Sequence, residues 1–492
     1  MKSRTFILIS ILTSFFTITS NAQVTSGLKI VSGKVDTVFR ASHYIVGAAK
    51  PGSEIFINGI SVKQYKTGSF GMEINLVEGN NPIEVRVRNS NEDIRESFFV
   101  YYKLQSPQSM RKSVKDTLPY NGLVITTLPG AYLNYSAGDD RLGGAKINFI
   151  SEGINMAVID STGDLYKVRL SENRYCFLPK EYAKKVPFGT NPPFTITGSW
   201  SVSKNDKCDR VRISLQERVP YTLSFELDPS KIIVDLYSAQ CNSNWITQYL
   251  DLEAIDYVDF AQIESDVFRV IIKLKSNKCW GYTAEYSDNS LVISVKHSPN
   301  PTLKGMLIGL DAGHGGSASG AVSPSGIKEK DLNLSMVYML KEEFEKRGAK
   351  VVLSRKDDSD MTMAERKKIF KDAGIDMLIS IHCNASGNPL VSGGTSAYYK
   401  HIEYRDLTAA ILKRLVAIDG GIKNFGLVGN FNFSLNGPTD YPSVLVETLF
   451  LSSLPDEEKI SDPQFRRKMM IEVAEGVEDY LKIVKKEAKK EK

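Results

Sequence analysis

The chain has 492 residues, of which 42% are hydrophobic and 24% charged, so its composition is that of a folded globular protein and excludes a disordered or fibrous one. One hydrophobic core does not support this length, and at about 150 residues per domain the chain is predicted to have three or four domains. The formal net charge is +5, and part of it lies in a lysine-rich tail, 485–492, typical of a solvated surface. The charge therefore indicates no nucleic-acid partner.

The amino terminus has the pattern of a secretory signal peptide. Lys2 and Arg4 precede an apolar stretch, 6–18, and small residues at positions 20 and 22 provide a cleavage site after Ala22. Serine and threonine interrupt the apolar stretch, and it is shorter than the roughly 20 residues that span a bilayer. We therefore expect residues 1–22 to be removed. The mature protein is expected in the periplasm or cell envelope, or outside the cell, with no membrane span.

The cysteines are too dispersed for a structural metal site. They stand at positions 176, 208, 241, 279 and 383 and form no Cys-x-x-Cys pair. An oxidising location would permit one disulfide among Cys208, Cys241 and Cys279, and the sequence leaves the pairing open.

Three β-rich modules are predicted ahead of residue 304. Residues 28–104 contain short alternating strands separated by turns, with Asn58-Gly59 as a hairpin turn, and they resemble a bacterial immunoglobulin-like β-sandwich. A polar linker, 105–116, leads to a second β-rich segment, 119–186, whose spacing resembles a bacterial SH3-like barrel. A third β-rich segment covers 194–296.

From Lys304 onward the hydrophobic period changes, because strands now alternate with helices. Predicted strands cover 306–310, 351–353, 377–381 and 443–446, and predicted helices begin near Asp331, Thr362, Tyr404 and Pro463. Thr362 and Glu365 form a capping box for a helix that ends at Gly374. The pattern predicts an α/β domain, 304–484, with a sheet covered by helices on both faces.

Four polar side chains lie close to the ends of these strands. His314 is on the loop after the first strand, His382 directly follows 377–381, and Glu447 closes 443–446. Glu329 is predicted on the loop just before the helix that begins near Asp331. Open α/β sheets bind ligands at the carboxyl ends of their strands, so we expect these four side chains to meet in one crevice. Two imidazoles and a carboxylate with an open fourth position form a catalytic zinc set, and a second carboxylate serves as general base.

The motifs around these residues resemble those of one enzyme family. They read Asp-Ala-Gly-His-Gly-Gly at 311–316, Glu-Lys-Asp-Leu-Asn-Leu at 329–334, Ser-Ile-His-Cys-Asn at 380–384 and Pro-Ser-Val-Leu-Val-Glu at 442–447. In this order they are similar to the zinc-dependent N-acetylmuramoyl-L-alanine amidases with a C-terminal catalytic domain, over residues 304–481. The resemblance implies that His314, Glu329 and His382 hold zinc and that Glu447 is the catalytic base. Asp311 is expected to orient a ligand histidine.

The resemblance also implies a substrate and a reaction. The substrate is peptidoglycan, an anionic polymer that suits a mildly basic protein. The reaction is hydrolysis of the amide bond between N-acetylmuramic acid and L-alanine, in cell-wall remodelling or daughter-cell separation. The third β segment then resembles the amidase N-terminal domain that binds cell wall in some amidases. We expect the three β modules to bind the wall or a protein regulator.

Two departures from the family pattern are visible. The chain reads Phe-Leu-Ser-Ser at 450–453, where the family often has asparagine after the first serine, and this change does not touch the proposed chemistry. The stretch 385–441 is short compared with relatives that carry an inserted inhibitory helix there. The sequence therefore predicts no built-in plug over the zinc.

Two other functions stay open, a zinc peptidase that acts on another bond and a non-catalytic wall-binding protein with a decayed site. The order of the motifs argues against the first, and the four intact side chains argue against the second. The glycine run at 313–318 has the G-x-G-x-x-A form of a dinucleotide loop. That motif must open a helix at once, whereas this run continues as loop, so nucleotide binding is not expected.

Several neighbouring residues have simpler interpretations. Cys383 beside His382 invites a role as thiol nucleophile, but neighbours in a strand point to opposite faces, so Cys383 is predicted to be buried away from the crevice. Outside the motifs stand three histidines with no predicted role, at positions 43, 297 and 401. Arg355 and Arg366 are expected to pair with carboxylates rather than with substrate.

Overall fold

A computed structural model describes residues 27–104, 122–140, 142–385, 387–418 and 422–488 of the chain. The predicted signal peptide, 1–22, and the polar linker, 105–116, lie outside these ranges. Within them, no helix combines the length and the apolar character needed to cross a membrane.

The first β-rich region forms two sheets around one hydrophobic core. Its strands are Leu28–Ser32 (β1), Thr37–Val38 (β2), Ser42–Ala49 (β3), Glu54–Ile57 (β4), Ile60–Val62 (β5), Ser69–Asn75 (β6), Gly79–Arg88 (β7) and Asp93–Tyr102 (β8). The sheet orders are β1-β3-β6 and β2-β8-β7-β4-β5. Ile55, Ile57 and Val85 alternate with more exposed residues and point into the core. Asn58 and Gly59, with φ of 45° and 78°, form the predicted hairpin turn.

The second β-rich region is one seven-stranded sheet of order β11-β10-β14-β13-β12-β9-β15. Its strands are Val124–Thr127 (β9), Tyr132–Asp140 (β10), Gly143–Phe149 (β11), Asn155–Thr162 (β12), Leu165–Arg169 (β13), Tyr175–Pro179 (β14) and Ala183–Lys185 (β15).

The third β-rich region forms a six-stranded and a four-stranded sheet. Its strands are Thr195–Lys204 (β16), Cys208–Leu215 (β17), Tyr221–Glu226 (β18), Lys231–Tyr237 (β19), Ala239–Gln240 (β20), Ile246–Gln248 (β21), Ile255–Glu264 (β22), Val267–Leu274 (β23), Tyr282–Ser287 (β24) and Ser290–Lys296 (β25). Their buried side chains join those of the second region in one continuous core, which includes Leu178, Trp200 and Phe268. Strand periodicity predicts which side chains point inward, but it carries no information on which sheet they pack against.

The region from Leu307 onward has one six-stranded sheet of order β27-β26-β28-β31-β29-β30. Its strands are Leu307–Ala312 (β26), Lys350–Leu353 (β27), Met377–Asn384 (β28), Thr395–Tyr398 (β29), Asn424–Val428 (β30) and Ser443–Phe450 (β31). Its helices are Glu329–Lys346 (α1), Met363–Ala373 (α2), Arg405–Val416 (α3), Leu454–Ile460 (α4) and Pro463–Ala488 (α5). The first four strands of that order are parallel, and β29 runs antiparallel to β31.

The two faces of this sheet bury different sets of side chains. Ile379, Ile381 and Val446 pack with the apolar faces of α1, α3 and α5. Leu378, one residue out of phase, packs on the opposite face with Phe370 of α2. Because strand side chains alternate, residues in phase with Leu378, including His382, point to the α2 face.

Most predicted element boundaries in this domain agree with the structure. Thr362 and Glu365 form the predicted capping box of α2, and Gly374 ends that helix with a left-handed φ of 64°. The predicted start of α1 near Asp331 is wrong by two residues, because the helix begins at Glu329. The predicted ends of β28 and β31 are also too early, since these strands continue to Asn384 and Phe450.

Candidate metal centre

His382 and Glu447 come from neighbouring parallel strands. They were predicted at or just beyond the strand ends, but both lie inside the strands, in β28 and β31, where they occupy paired positions. The strand pairing resumes beyond both residues at Asn384 and Phe450, after a shift in register. His382 is buried and Glu447 is half-buried, and both lie near the carboxyl ends of their strands.

His314 lies in a tight turn directly after β26. Its φ is +61°, a left-handed conformation that is uncommon for a residue with a side chain. Arg366, on α2, holds this backbone by donating from Nη2 to the carbonyl oxygen of His314 at 2.6 Å. The half-buried imidazole reaches Glu329, with 3.2 Å between Nε2 and Oε1.

Glu329 is the first residue of α1, where the helix dipole favours a carboxylate. Oε1 accepts hydrogen bonds from Nδ1 of His382 at 3.1 Å, from the backbone N–H of Cys383 at 3.0 Å and from Nδ2 of Asn333 at 3.1 Å. Oε2 accepts from the backbone N–H of Ala321 at 2.8 Å. Burial alone would raise the pKa of Glu329, but the hydrogen bonds from both histidines outweigh burial and hold the pKa well below its usual range.

The three side chains fit a divalent metal ion. One ligand atom from each of His314, Glu329 and His382 lies within 4.8 Å of the other two. Among the described residues, nothing hydrogen-bonds the buried Nε2 of His382. The surrounding backbone leaves room for this cluster, because a Cβ at Gly313 would overlap the His382 ring and a Cβ at Gly320 would overlap Glu329. Two imidazoles and a carboxylate are a donor set that suits zinc and similar ions.

Asp311 acts on the cluster through its neighbours. Its oxygens accept hydrogen bonds from Nη1 of Arg366 and from Oγ of Ser380, both at 2.6 Å. Burial would raise the pKa of Asp311, but the charge of Arg366 outweighs it and the pKa is lowered. Asp311 therefore acts on the ligand histidine His314 indirectly: its carboxylate holds Arg366, and Arg366 donates to the backbone carbonyl of His314.

The two arginines considered from sequence behave differently. Arg366 pairs with the carboxylate of Asp311, as expected. The expectation for Arg355 is wrong, because its guanidinium donates to the backbone carbonyls of Ala312, Asp357, Gly313 and Lys330. Both arginines are buried. Their hydrogen bonds are to other residues of the chain, so we assign neither of them a contact with substrate.

The remaining cysteines and histidines have structural surroundings. Cys383 is buried on the core face with its thiol near Thr448, away from His382, as predicted. All five cysteines are free thiols, so none of the disulfides that the sequence would permit is formed. The three other histidines contact Gly33, Asp209 and Gly437 through Nε2; they are His43, His297 and His401.

Two residues at the centre were not predicted. Asn333 bridges Glu329 and the carbonyl of Gly313, and its position four residues after Glu329 on one helix would have placed it on the same face. Phe433 meets the His382 ring edge-on, with 5.6 Å between ring centroids. No local pattern identifies Phe433, because the loop between β30 and β31 brings it there. Within the described parts of the segment 385–441, the α-helix α3 packs on the face of the sheet opposite to His382.

A carboxylate next to a histidine–glutamate–histidine metal set is the machinery of a metal-dependent hydrolase. Residues 308–479 match the family model described as N-acetylmuramoyl-L-alanine amidase. Over 205 residues the chain is 32% identical to the probable cell wall amidase LytH of Staphylococcus epidermidis, which covers 41% of this chain and 67% of the relative. The chain belongs to this amidase family, and the family and enzyme class expected from the motifs are confirmed.

Other relatives match the same part of the chain. The N-acetylmuramoyl-L-alanine amidase AmiC of Neisseria meningitidis is 29% identical over 218 residues, covering 36% of this chain and 52% of that protein. The chain therefore spans about half the length of this relative. The solved N-acetylmuramoyl-L-alanine amidase of Clostridium difficile 630 is 28% identical and covers 36% of this chain and 98% of that one, with a TM-score of 0.35.

Proposed function

We propose that the chain hydrolyses the amide bond between N-acetylmuramic acid and L-alanine in peptidoglycan. The observation that carries this proposal is the convergence of His314, Glu329 and His382 beside Glu447 on one face of the sheet. The relatives named as N-acetylmuramoyl-L-alanine amidases support the bond and the substrate.

His314, Glu329 and His382 would hold a zinc ion. Bound there, zinc supplies a Lewis acid that polarises the amide carbonyl and lowers the pKa of water. The chain contributes preorganisation: Asn333 and Ala321 fix the Glu329 carboxylate, and the sheet fixes His382. Metal affinity should therefore depend on these supporting contacts as well as on the three ligands.

Glu447 would act as general base and then as general acid. It takes a proton from the attacking water, and the same carboxyl group returns a proton to the amine nitrogen of L-alanine as the C–N bond breaks. Its position beside His382 suits this transfer because the strand register fixes the carboxylate next to the metal ligands. No proton carrier from another element is needed.

The location and the β-rich regions complete the proposal. We infer that residues 1–22 direct export and that the enzyme works in the cell envelope or outside the cell. The β-rich part would consist of three modules, 28–104, 119–186 and 194–296, that bind peptidoglycan or a protein regulator. The catalytic sheet would be covered by helices on both faces, and no inserted segment would plug the zinc.

One experiment separates this function from a zinc peptidase and from a non-catalytic wall-binding protein. The mature protein is incubated with peptidoglycan, with and without chelator, and the soluble products are identified by mass spectrometry. Free peptides that begin with L-alanine, lost on chelation and in Glu447→Gln, are expected. Cleavage at another bond would assign a different hydrolase. Binding without cleavage by the zinc-loaded protein would contradict the amidase.

A further inference from the structure

Three lysine side chains converge where the second β-rich region meets the catalytic domain. Lys146 is on β11, Lys367 is on α2 and Lys400 follows β29. The Nζ of Lys400 donates to the carbonyl oxygen of Lys146 at 3.0 Å. Lys146 and Lys367 lie over the rings of Tyr132 and Phe149, whose centroids are 6.0 Å apart, so the three side chains form one cationic cluster. Burial, and then the charge of Lys146, lower the pKa of Lys367 and of Lys400.

This lysine cluster is half-buried, and the described parts of the chain provide no carboxylate that pairs with it. Lys146 and Lys367 place their Nζ atoms 4.7 Å and 4.6 Å from the ring centroids of Tyr132 and Phe149. Burial, and then the charge of Lys146, lower the pKa of Lys400 to about 8. Like charges held together in partly desolvated positions destabilise the junction unless an anion joins them.

The cluster lies beside the catalytic face. Asn432 accepts a hydrogen bond from the backbone N–H of Lys146 at 3.3 Å and donates to the carbonyl of Gly144 at 2.7 Å. The next residue, Phe433, contacts the ring of His382. Two consecutive residues of one loop therefore connect the lysine cluster with the metal centre.

Space for a ligand exists at this junction. A cavity of about 220 Å³ opens next to Lys367. Its lining comes from the second β-rich region, the third β-rich region and the catalytic domain, and includes Phe149, Leu223 and Gly437. Glu285 also lines the cavity, but it pairs with Lys371 at 3.2 Å. Lys367 is the member of the lysine cluster that lies in the cavity wall. The wall also contains the carboxyl group of Asp440, whose pKa burial raises.

We propose that the lysine cluster is a subsite that binds an oxyanion group of the cell wall while the scissile amide lies at the metal centre. The proposal rests on the proposed function, since that function supplies the wall polymer. A carboxylate of the stem peptide is one source of the oxyanion, and a phosphate of a wall polymer is the other. Ammonium groups bind both through charge-assisted hydrogen bonds.

Binding is measured first without catalysis, in the full mature protein with Glu447→Gln. The probes are a muramoyl tripeptide with free carboxylates, the same compound with amidated carboxylates, and a glycerol phosphodiester oligomer. We expect one oxyanion probe to bind about 10-fold more tightly than the amidated compound, as one charge contact supplies. Tighter binding of the tripeptide with free carboxylates would identify the stem peptide as the source of the oxyanion, and tighter binding of the phosphodiester oligomer would identify a wall phosphate. Equal affinities for all three would overturn the subsite.

Lys146→Gln is the test variant because the charge of Lys146 acts on both other lysines. It should abolish the oxyanion preference without lowering the unfolding midpoint, since it relieves repulsion. Lys368→Gln is the matched control, because Lys368 is on the same helix as Lys367 but pairs with Asp372 at the surface. The subsite is refuted if Lys368→Gln loses the preference as fully as Lys146→Gln does. If Lys146→Gln unfolds, Lys400→Gln replaces it.

Hydrolysis by the wild-type protein separates failure of the subsite from failure of the function. Lys146→Gln should raise KM for the oxyanion substrate about 10-fold and leave kcat unchanged, because the subsite contacts a group remote from the scissile bond. Oxyanion-selective binding without hydrolysis would uphold the subsite and contradict the amidase. Hydrolysis with unchanged KM in Lys146→Gln would uphold the amidase and overturn the subsite.

Discussion

His382 and Glu447 occupy paired positions on the adjacent parallel strands β28 and β31, so their side chains leave the sheet on the same face. The register of two buried strands, rather than a loop, therefore sets the position of the proposed base relative to the metal ligands. A shift by one residue would turn one of them to the opposite face. Ile381 and Val446, paired in the same register, are buried in the core and oppose such a shift.

Glu447→Gln tests whether Glu447 is the general base and not a metal ligand. The substitution keeps the shape of the side chain and removes its ability to take a proton, so hydrolysis should fall by about 10²- to 10⁴-fold. Bound zinc, measured by mass spectrometry of the metal, should stay at the wild-type level because Glu447 is outside the ligand set. Glu345→Gln, at an exposed ion pair of α1, is the control. Full activity of Glu447→Gln would eliminate this residue as base.

Gly313→Ala tests the space around the cluster. A Cβ at this position overlaps the ring of His382, so the ring must move and zinc affinity should fall by about 10- to 100-fold, as for lost support of a metal ligand. Zinc titration with a competing chelator measures the effect. At Gly387 no atom lies within 4 Å of an added Cβ, and Gly387→Ala should keep the wild-type affinity. Unchanged affinity in Gly313→Ala would show that His382 does not bind the metal in this position.

The sequence predicted which side chains meet at the site better than it predicted the elements around them. His314 and His382 were found because apolar runs identify buried strands, and parallel strands place their carboxyl ends at one edge. Glu329 was predicted on a loop, but it is the first residue of α1. This helix begins without a side-chain cap, so the sequence carries no signal for its first residue. The reversed direction of β29 and the contact of Phe433 with His382 depend on tertiary packing between distant segments.

The buried pair of Asp311 and Arg366 should be important for stability. Asp311→Ala leaves the Arg366 guanidinium charged and buried, and the free energy of unfolding should fall by about 3–5 kcal/mol. Urea denaturation of the metal-free protein measures this without a contribution from zinc. The matched control is Asp372→Ala, which breaks the exposed pair with Lys368 on the same helix and should cost less than about 1 kcal/mol. Equal losses in the two variants would contradict the burial argument.

Glu403 should make stability depend on pH. It is buried where the third β-rich region meets the catalytic domain, and its Oε1 accepts a hydrogen bond from the hydroxyl of Tyr282 at 3.0 Å. Burial raises the pKa of Glu403 from 4.5 to about 7. Between these pH values the folded state keeps a proton that the unfolded state releases. The free energy of unfolding should therefore fall as pH rises from 4.5 to about 7, with a slope on the order of 1 kcal/mol per pH unit.

Glu403→Gln keeps a neutral hydrogen-bonding side chain at every pH, so it should remove this part of the slope. Urea denaturation between pH 5 and 8, in wild type and variant, measures the difference. Above pH 7 the variant should be the more stable protein, because wild-type Glu403 must then ionise in a site where burial disfavours its charge. Glu345→Gln, which changes an exposed carboxylate of the same type, should keep the wild-type slope. Identical slopes in wild type and Glu403→Gln would show that Glu403 titrates normally in the folded protein.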